Sequence, residues 1–318
     1  ALSLGLVINL DNFDELERTA ALLANGPAGA RVGLRINPGV GAGHIAITSV
    51  ATRESKFGIP LADGRAAIIE AFCHYHWLRG LHVHVGSQGC RLEQLVAAAR
   101  AVDDLRAGIE AVRPGQIEFV DIGGGLPFPY TDADREIPFD EYADALRREA
   151  PALTGGGLLL ATEFGRVLQA GCGWTATRIE YVKPAQRLAV CHAGADLFLR
   201  PVYQPENWHH RFSLLDADGR PRTGEDDGRW TIAGPLCFGG DLLARDVALP
   251  VPREGDWLLV HDTGAYTLSM WSRHCSRALP PVLGYEGPGD ATPRRLFEGE
   301  QPADVARFWG AGTATTGR

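Results

Sequence analysis

The sequence predicts an α/β domain followed by a mostly β domain. Up to about residue 166, short apolar runs alternate with amphipathic segments, a pattern typical of parallel strands joined by helices. From about residue 167 onward, the apolar runs are strand-like, and Gly, Pro and Asp lie between them. A length of 318 residues is enough for about two domains. We therefore expect domains over residues 1–166 and 167–318.

The first domain contains five predicted strands. They lie at residues 6–10, 31–36, 80–85, 117–122 and 158–162. Helices are predicted after the capping residue Asp11 or Asn12, and over residues 66–77, 92–112 and 139–149. Five parallel strands fit either an open doubly wound sheet or a (β/α)8 barrel of which three strands are absent. Periodicity alone does not choose between these two folds.

The second domain contains further strand-like segments with period-two alternation or continuous apolar character. They lie at residues 175–182, 188–192, 230–233 and 257–261. Turn-forming residues separate them, and we find no internal repeat. This half of the chain is therefore predicted to be mostly β.

The composition narrows the function classes. The formal net charge is −8, which argues against nucleic-acid and anionic-membrane partners, because both attract clustered positive charge. No apolar run approaches the roughly 18–20 residues that a membrane span needs. The six cysteines are dispersed without a closely spaced pair, so we expect reduced thiols in a cytoplasmic protein and no structural metal site.

Three motifs follow predicted strands of the first domain, at the end where parallel folds bind ligands. They are residues 80–88, with His82 and His84, residues 121–125, with three consecutive glycines, and residues 162–166, with Glu163 and Arg166. A fourth motif, in the second domain, joins residues 237–241 with residues 262–266. Each is weak alone, because histidine pairs, glycine turns, ion pairs and cysteines are usually structural. Together they favour a ligand with a phosphate, an aromatic ring and a group that needs a carboxylate partner, as in pyridoxal 5'-phosphate (PLP).

The order of these motifs resembles the diaminopimelate/ornithine decarboxylase family, the fold-type III PLP enzymes. The resemblance runs from about residue 6 to about residue 280 and also includes residues 34–39 and 55–58. The family fold is a PLP-binding (β/α)8 barrel followed by a mostly β domain. The resemblance therefore implies the barrel, with its N-terminal strands missing, rather than the open sheet.

The resemblance also implies roles for individual residues. His84 is expected to stack on the pyridine ring, and Glu163 to pair with the ring nitrogen. A protonated ring is the better sink for the electrons that decarboxylation leaves behind. The residues expected around the cofactor phosphate are Ser87, Gly123, Gly124, Gly125, Gly165, Arg166 and Tyr266.

Residues of the second domain are expected to act on the substrate. Cys237 matches the cysteine that the family contributes across a dimer interface, where it would donate a proton to the substrate α-carbon. The resemblance thus implies a homodimer with a shared active site and a small amino-acid substrate. Arg200, Tyr203 and Asp241 are expected to contact that substrate.

Two departures from the family pattern matter. The sequence contains only two lysines, Lys56 and Lys183, and neither matches the family lysine that forms the Schiff base with PLP. We therefore expect that an N-terminal part with roughly three strands and that lysine is missing, and that this chain alone binds PLP poorly and is inactive. In addition, Phe238 replaces a glutamate of the diaminopimelate enzymes, so we expect a substrate other than diaminopimelate.

Three alternatives remain open. A metal-dependent hydrolase on the same barrel would also use two histidines on one strand. A non-catalytic homologue would explain the missing lysine but not the retained site residues. An amino-acid racemase shares the barrel and the cofactor, although a carboxylate at the ring nitrogen favours decarboxylation.

Overall fold

The computed structural model describes residues 1–24, 29–223, 228–287 and 292–312. The chain divides into two compact units, Ala1–Gln169 and Ala170–Arg318. Each unit has a hydrophobic core of its own. Among the described residues, no helix is both long enough and apolar enough to traverse a bilayer.

The first unit alternates strands with helices, as predicted. Its strands are β1 (Val7–Leu10), β2 (Arg31–Asn37), β3 (Ile59–Pro60), β4 (Leu78–Val83), β5 (Phe119–Asp121) and β6 (Leu159–Ala161). Its helices are α1 (Phe13–Leu23), α2 (Leu61–His74), α3 (Leu92–Val112), α4 (Phe139–Glu149), α5 (Pro151–Thr154) and α6 (Arg166–Gln169).

The strand order of the first unit distinguishes a barrel from an open sheet. All pairs are parallel, and the order β1-β2-β4-β5-β6 follows the chain, with the short β3 paired to β2 beside this path. A doubly wound sheet reverses its strand order at a switch point, whereas a barrel adds each strand on the same side. The described strands therefore form a barrel segment, which confirms the predicted fold class.

Local sequence explains the helix boundaries. The side chain of Asn12 caps α1 by accepting the N–H of Glu15 at 2.9 Å. Helix α3 has the predicted bounds, because its apolar residues repeat at helical spacing and form one buried face that packs against the sheet. The buried residues of that face include Leu95, Val102, Leu105 and Ile109.

Two predicted elements, α2 and β4, are displaced along the chain. Helix α2 spans Leu61–His74 rather than residues 66–77, because it begins directly after Pro60 and continues through Gly64. Proline is well tolerated at a helix start, since its missing N–H has no partner there. Strand β4 spans Leu78–Val83 rather than residues 80–85, so His84 lies just beyond the strand, in the loop.

The second unit is mostly β, as predicted. Its strands are β7 (Thr175–Lys183), β8 (Leu188–Cys191), β9 (Phe212–Leu215), β10 (Arg229–Ala233), β11 (Leu242–Ala248), β12 (Trp257–Val260), β13 (Val282–Gly284) and β14 (Arg294–Phe297). Helix α7 (Leu199–Tyr203) lies between β8 and β9, and helix α8 (Pro302–Phe308) follows β14. Among the described residues, six strands form a sheet in the order β11-β10-β8-β7-β12-β9, and β13 pairs with β14.

Candidate active site

The candidate site of the first unit lies where β4, β5 and β6 end. His82 of β4 is in register with Asp121 of β5, and Asp121 is in register with Ala161 of β6. The three motifs that follow these strands are therefore neighbours, as parallel pairing requires. This register brings together His84, the glycine turn at residues 123–125 and Glu163.

Glu163 lies between two histidines. Its Oε1 lies 3.4 Å from Nε2 of His82, and its Oε2 lies 3.4 Å from Nδ1 of His84. The contact with His82 lowers the pKa of Glu163, with a further contribution from the charge of Arg35, although burial opposes the shift. Glu163 is therefore ionised at neutral pH and offers a negative charge to a bound cation.

His84 is held as a neutral ring. Its Nδ1 accepts the backbone N–H of Gly124 at 3.1 Å, which places the imidazole proton on Nε2. Burial lowers the pKa of His84 and outweighs the attraction of Glu163. A neutral, flat imidazole fixed by the glycine turn is suited to stack on an aromatic ligand.

Asp121 completes an acidic cluster with Glu163. Burial raises the pKa of Asp121, and the nearby Glu163 carboxylate adds to the shift, while the N–H of Gly123 opposes it by donating to Oδ1 at 2.9 Å. The pKa of Asp121 is thus raised and that of Glu163 lowered, so a proton shared by the two carboxyl groups binds preferentially to Asp121. Single donor atoms of His82, Asp121 and Glu163 also lie within 4.8 Å of one another, a set that could hold a metal ion.

The glycine turn packs directly against the backbone around it. Gly123 has a φ of +70° and Gly125 a φ of +107°, both in the region that favours glycine. A Cβ at Gly123 would collide with the carbonyl oxygen of Val83 and with Nδ1 of His84. The N–H groups of Gly123 and Gly124 donate to Asp121 and His84, so the binding of a phosphate by this turn stays a prediction.

Arg166 forms the core of a candidate anion site. It is only 4% exposed, and it donates from Nη1 to the hydroxyl of Tyr130 at 2.9 Å and from Nη2 to Oγ of Ser87 at 3.2 Å. Gly165 precedes it, and the carbonyl oxygen of Gly165 accepts two N–H groups of the following turn. A guanidinium can bind a phosphate through its N–H groups, and this role of Arg166 stays a prediction.

In the second unit, Cys237 lies on a loop that Asp241 supports. Asp241 is 3% exposed and accepts the N–H of Leu236 at 2.7 Å and the N–H of Ala195 at 2.7 Å. Burial raises the pKa of Asp241, and these two N–H groups reduce the shift. Both oxygens face the backbone, so Asp241 positions the loop, and a direct contact with substrate stays a prediction.

The other predicted residues of the second unit are grouped around aromatic rings. The guanidinium carbon of Arg200 lies 4.4 Å from the ring centroid of Trp208 and 4.7 Å from that of Tyr266. Tyr203 stacks on Phe238 at 6.0 Å between ring centroids, next to Cys237. Arg200 thus contacts Tyr266, and Tyr203 contacts Phe238, the residue that follows Cys237.

Four residues of the first site had no role assigned from the sequence, namely Arg35, His82, Asp121 and Tyr130, although the predicted motifs contain His82 and Asp121. His82 had a usable signal, because residues two apart on a strand point to the same side. Arg35 is in register with His82. Burial lowers the pKa of Arg35, and the charge of Glu163 opposes that shift. Only the register of the sheet brings Arg35 to the site.

Comparisons with known proteins agree with the fold. The profile of the family described as "Pyridoxal-dependent decarboxylase, pyridoxal binding domain" matches residues 2–170. The chain is 36% identical over 299 residues to the diaminopimelate decarboxylase of Streptomyces coelicolor, and the alignment covers 89% of this chain and 64% of that protein. It is 33% identical over 301 residues to the diaminopimelate decarboxylase of Methanothermobacter thermautotrophicus, and this alignment covers 93% of the chain and 68% of the relative.

A solved structure supports the same relationship. The diaminopimelate decarboxylase of Helicobacter pylori, complexed with L-lysine, superposes with a TM-score of 0.80 at 27% identity and covers 95% of this chain and 72% of that one. The chain spans about two thirds of the length of the curated relatives it matches.

Proposed function

The chain belongs to the pyridoxal-dependent decarboxylase family, and from this premise we propose that the protein decarboxylates a small amino acid other than diaminopimelate. One observation carries the proposal most directly. Glu163, with a lowered pKa, is held between His82 and His84 at the end of the barrel strands. An ionised carboxylate there is what a protonated pyridine nitrogen needs as its partner.

The residues of the first site fit the cofactor. A Cβ at Gly123 would fill the space beside the His84 ring, so the chain keeps its backbone close to that ring. Arg166 and Ser87 offer a buried cation and a hydroxyl to a phosphate, at the end of the sheet where Glu163 also lies. Carboxylate, flat imidazole and guanidinium together match the three chemical parts of PLP.

Each residue then has a defined task. Bound PLP supplies an electron sink for the bonding pair that the departing carboxylate leaves behind. Glu163 would hold the proton on the ring nitrogen, since its own lowered pKa keeps it from taking that proton. His84, neutral and fixed by Gly124, would hold the ring plane in place. Arg166 and Ser87 would bind the phosphate and so fix the cofactor's position.

We propose that Cys237 protonates the substrate α-carbon after decarboxylation. Its thiol is exposed, and its loop is fixed by the buried Asp241. A thiol donates one proton and becomes a thiolate, which suits a single transfer to the substrate α-carbon. The family resemblance implies that this cysteine serves the active site of a partner subunit, so the proposal includes a homodimer.

The substrate proposal rests on the surroundings of Phe238. Its ring stacks between Tyr203 and His274, with centroids 6.0 Å and 5.4 Å away and interplanar angles of 8° and 18°. The glutamate that Phe238 replaces in the resembling enzymes would pair with a charged distal amine. A stack of rings offers no such charge, which disfavours a substrate with a second amino-acid group.

Steady-state rates on a panel of amino acids test this function. The complete protein, loaded with PLP, is assayed for CO₂ release from meso-diaminopimelate, lysine, ornithine, arginine and aromatic amino acids. We expect kcat/KM for one of the others to exceed that for diaminopimelate by at least about tenfold, the scale of one or two lost contacts. Comparable or faster turnover of diaminopimelate would overturn the substrate proposal.

A matched variant and two further measurements separate the alternatives. Phe238→Glu is expected to raise the relative rate on diaminopimelate, whereas Phe238→Leu is not. Loss of optical activity without CO₂ release would indicate a racemase, and PLP binding without turnover of any amino acid a non-catalytic homologue. Stoichiometric zinc in the purified protein would favour a metal site at His82, Asp121 and Glu163.

A further inference from the structure

Two exposed thiols lie side by side in the second unit. Sγ of Cys237 and Sγ of Cys275 are 3.4 Å apart, although 237 and 275 belong to different loops. The thiol of Cys275 also raises the pKa of Cys237 through this contact. The pair is therefore close enough to share a proton and is open to small molecules.

The residues next to the two cysteines hold the loops together. Phe238 follows Cys237, His274 precedes Cys275, and their rings stack with centroids 5.4 Å apart and planes 18° apart. Stacked rings of this kind contribute about 0.5–1.5 kcal/mol beyond their burial. The closeness of the two sulfurs is thus supported by an independent contact between the same two segments.

Each loop is also anchored to the rest of the unit. The carboxylate of Asp241 fixes the loop of Cys237 through the N–H groups of Leu236 and Ala195. On the other side, Arg273 forms a two-pronged ion pair with Glu300 at 2.9 and 2.6 Å, and Arg277 donates to Asp196 at 3.3 Å. Cys275 lies between these two arginines, so neither cysteine is on a freely moving segment.

We propose that Cys237 and Cys275 form a dithiol site that small-molecule disulfides convert reversibly to an intrachain disulfide. A disulfide bond is about 2.05 Å long, so the sulfurs need to approach by only about 1.4 Å from their 3.4 Å separation.

The oxidant in this step is a disulfide of the glutathione class. One protein thiolate attacks a sulfur of the oxidant, forms a mixed disulfide and releases one thiol. The second protein thiolate then attacks the bound protein sulfur, closes the Cys237–Cys275 bond and releases the second thiol. Each protein thiol gives up its proton, the protein loses two electrons, and the oxidant is reduced to two thiols.

The buried cysteines show why this pair is selected. Burial raises the pKa of Cys90 to about 11 and that of Cys191 to about 12, so both remain protonated at neutral pH. Thiol exchange needs the thiolate and access for the oxidant. Burial closes Cys90 and Cys191 to an oxidant, whereas Cys237 and Cys275 are exposed and each has a second thiol 3.4 Å away.

The consequence for activity rests on the proposed function. If Cys237 is the proton donor, its oxidation removes the transferable proton and stops turnover. Cys275 would then act as a resolving residue that protects Cys237 by binding it reversibly. The dithiol site does not depend on the role of Cys237 as proton donor, because disulfide formation is measured directly as the loss of the two thiols.

Peptide mapping tests the proposal. The complete, PLP-loaded protein is incubated with oxidised glutathione under native conditions, digested without reductant and analysed by mass spectrometry. We expect a linked peptide pair containing Cys237 and Cys275, a loss of two free thiols and no glutathione retained on Cys237. Dithiothreitol should restore both thiols. Absence of the linked pair, or a lasting glutathione adduct on Cys237, would overturn the proposal.

Two variants sharpen the result. Cys275→Ser should leave glutathione attached to Cys237 and abolish the linked pair, because the resolving thiol is gone. Cys73→Ser, which removes an exposed cysteine outside the pair, should form the linked pair like the original protein. A linked pair without loss of decarboxylation would support the dithiol site and contradict the role of Cys237 as proton donor.

Discussion

Nδ1 of His84 lies 3.4 Å from the Glu163 carboxylate while it accepts the N–H of Gly124 at 3.1 Å. A nitrogen that accepts one proton cannot also donate to the carboxylate, so the neutral His84 leaves the charge of Glu163 unpaired on that side. His82 and Arg35 lower the pKa of Glu163 from the other side. The carboxylate is therefore ionised, and its side chain is 47% exposed.

Glu163→Gln tests this charge. The amide keeps the shape of the side chain but cannot hold a proton on a ring nitrogen, so we expect kcat to fall by roughly 10²-fold or more. The PLP content, measured by absorbance, should remain close to that of the original protein. Glu118→Gln, which removes an exposed carboxylate paired with Arg79, is the control and should retain full activity. Equal kcat for both variants would contradict the role of Glu163.

Gly123→Ala tests the close packing of the glycine turn. A left-handed alanine costs about 1–2 kcal/mol by itself. Gly115 has a φ of +76° with no atom within 4 Å of an added Cβ, so Gly115→Ala measures that strain alone. Gly123→Ala should cost about 1–3 kcal/mol more, because its Cβ meets Val83 and His84. Urea unfolding of the two variants gives the comparison, and equal losses would rule out the crowding.

Arg166→Lys tests the candidate phosphate site. Lysine carries the same charge but lacks the planar fork whose two nitrogens reach Tyr130 and Ser87 separately, so we expect PLP to bind about tenfold more weakly. Unfolding should show a loss of about 1–3 kcal/mol. Arg100→Lys alters an exposed pair with Glu149 and should change stability by less than about 0.5 kcal/mol. Unchanged PLP affinity in Arg166→Lys would remove Arg166 from the phosphate site.

Asp121→Asn tests the raised pKa of Asp121. An acid with a raised pKa binds its proton more tightly in the folded state, so its ionisation destabilises the fold as pH rises from about 4. Asparagine preserves the acceptor for the N–H of Gly123 and removes the charge. Relative to the original protein, the variant should therefore gain stability as the pH rises from about 4 towards neutrality, measured by thermal unfolding. A relative loss over that interval would refute the assignment.

Asp241→Asn distinguishes positioning from substrate binding. The amide nitrogen would face one of two backbone N–H groups, so we expect a loss of about 1–3 kcal/mol in unfolding free energy. If Asp241 positions the loop of Cys237, kcat falls while KM changes little. A rise in KM at constant kcat would indicate a direct substrate contact instead. Asp218→Asn, at an exposed position, provides the control for the loss of charge.

Much of the fold was predictable from local signals. The bounds of α3 and α4 match the prediction, because their apolar faces repeat at helical spacing. The family and its cofactor, predicted from the motifs, are confirmed by the profile match. Strands β9, β13 and β14, of three or four residues each, were missed. So were β3, which has only two residues, and β11, which contains charged residues with a positive φ at Asp246. Neither has the alternation on which strand prediction depends.

The sequence by itself determined the alternation of strands and helices, the change to β structure and the motifs that follow the strands. Hydrophobic periodicity and turn residues are local properties, so a linear reading detects them. Tertiary structure alone decided that Arg35, His82 and Asp121 share a row, that Arg166 meets Tyr130, and that two distant thiols lie 3.4 Å apart. These contacts depend on strand register and loop anchoring, which arise from the packing of the entire unit.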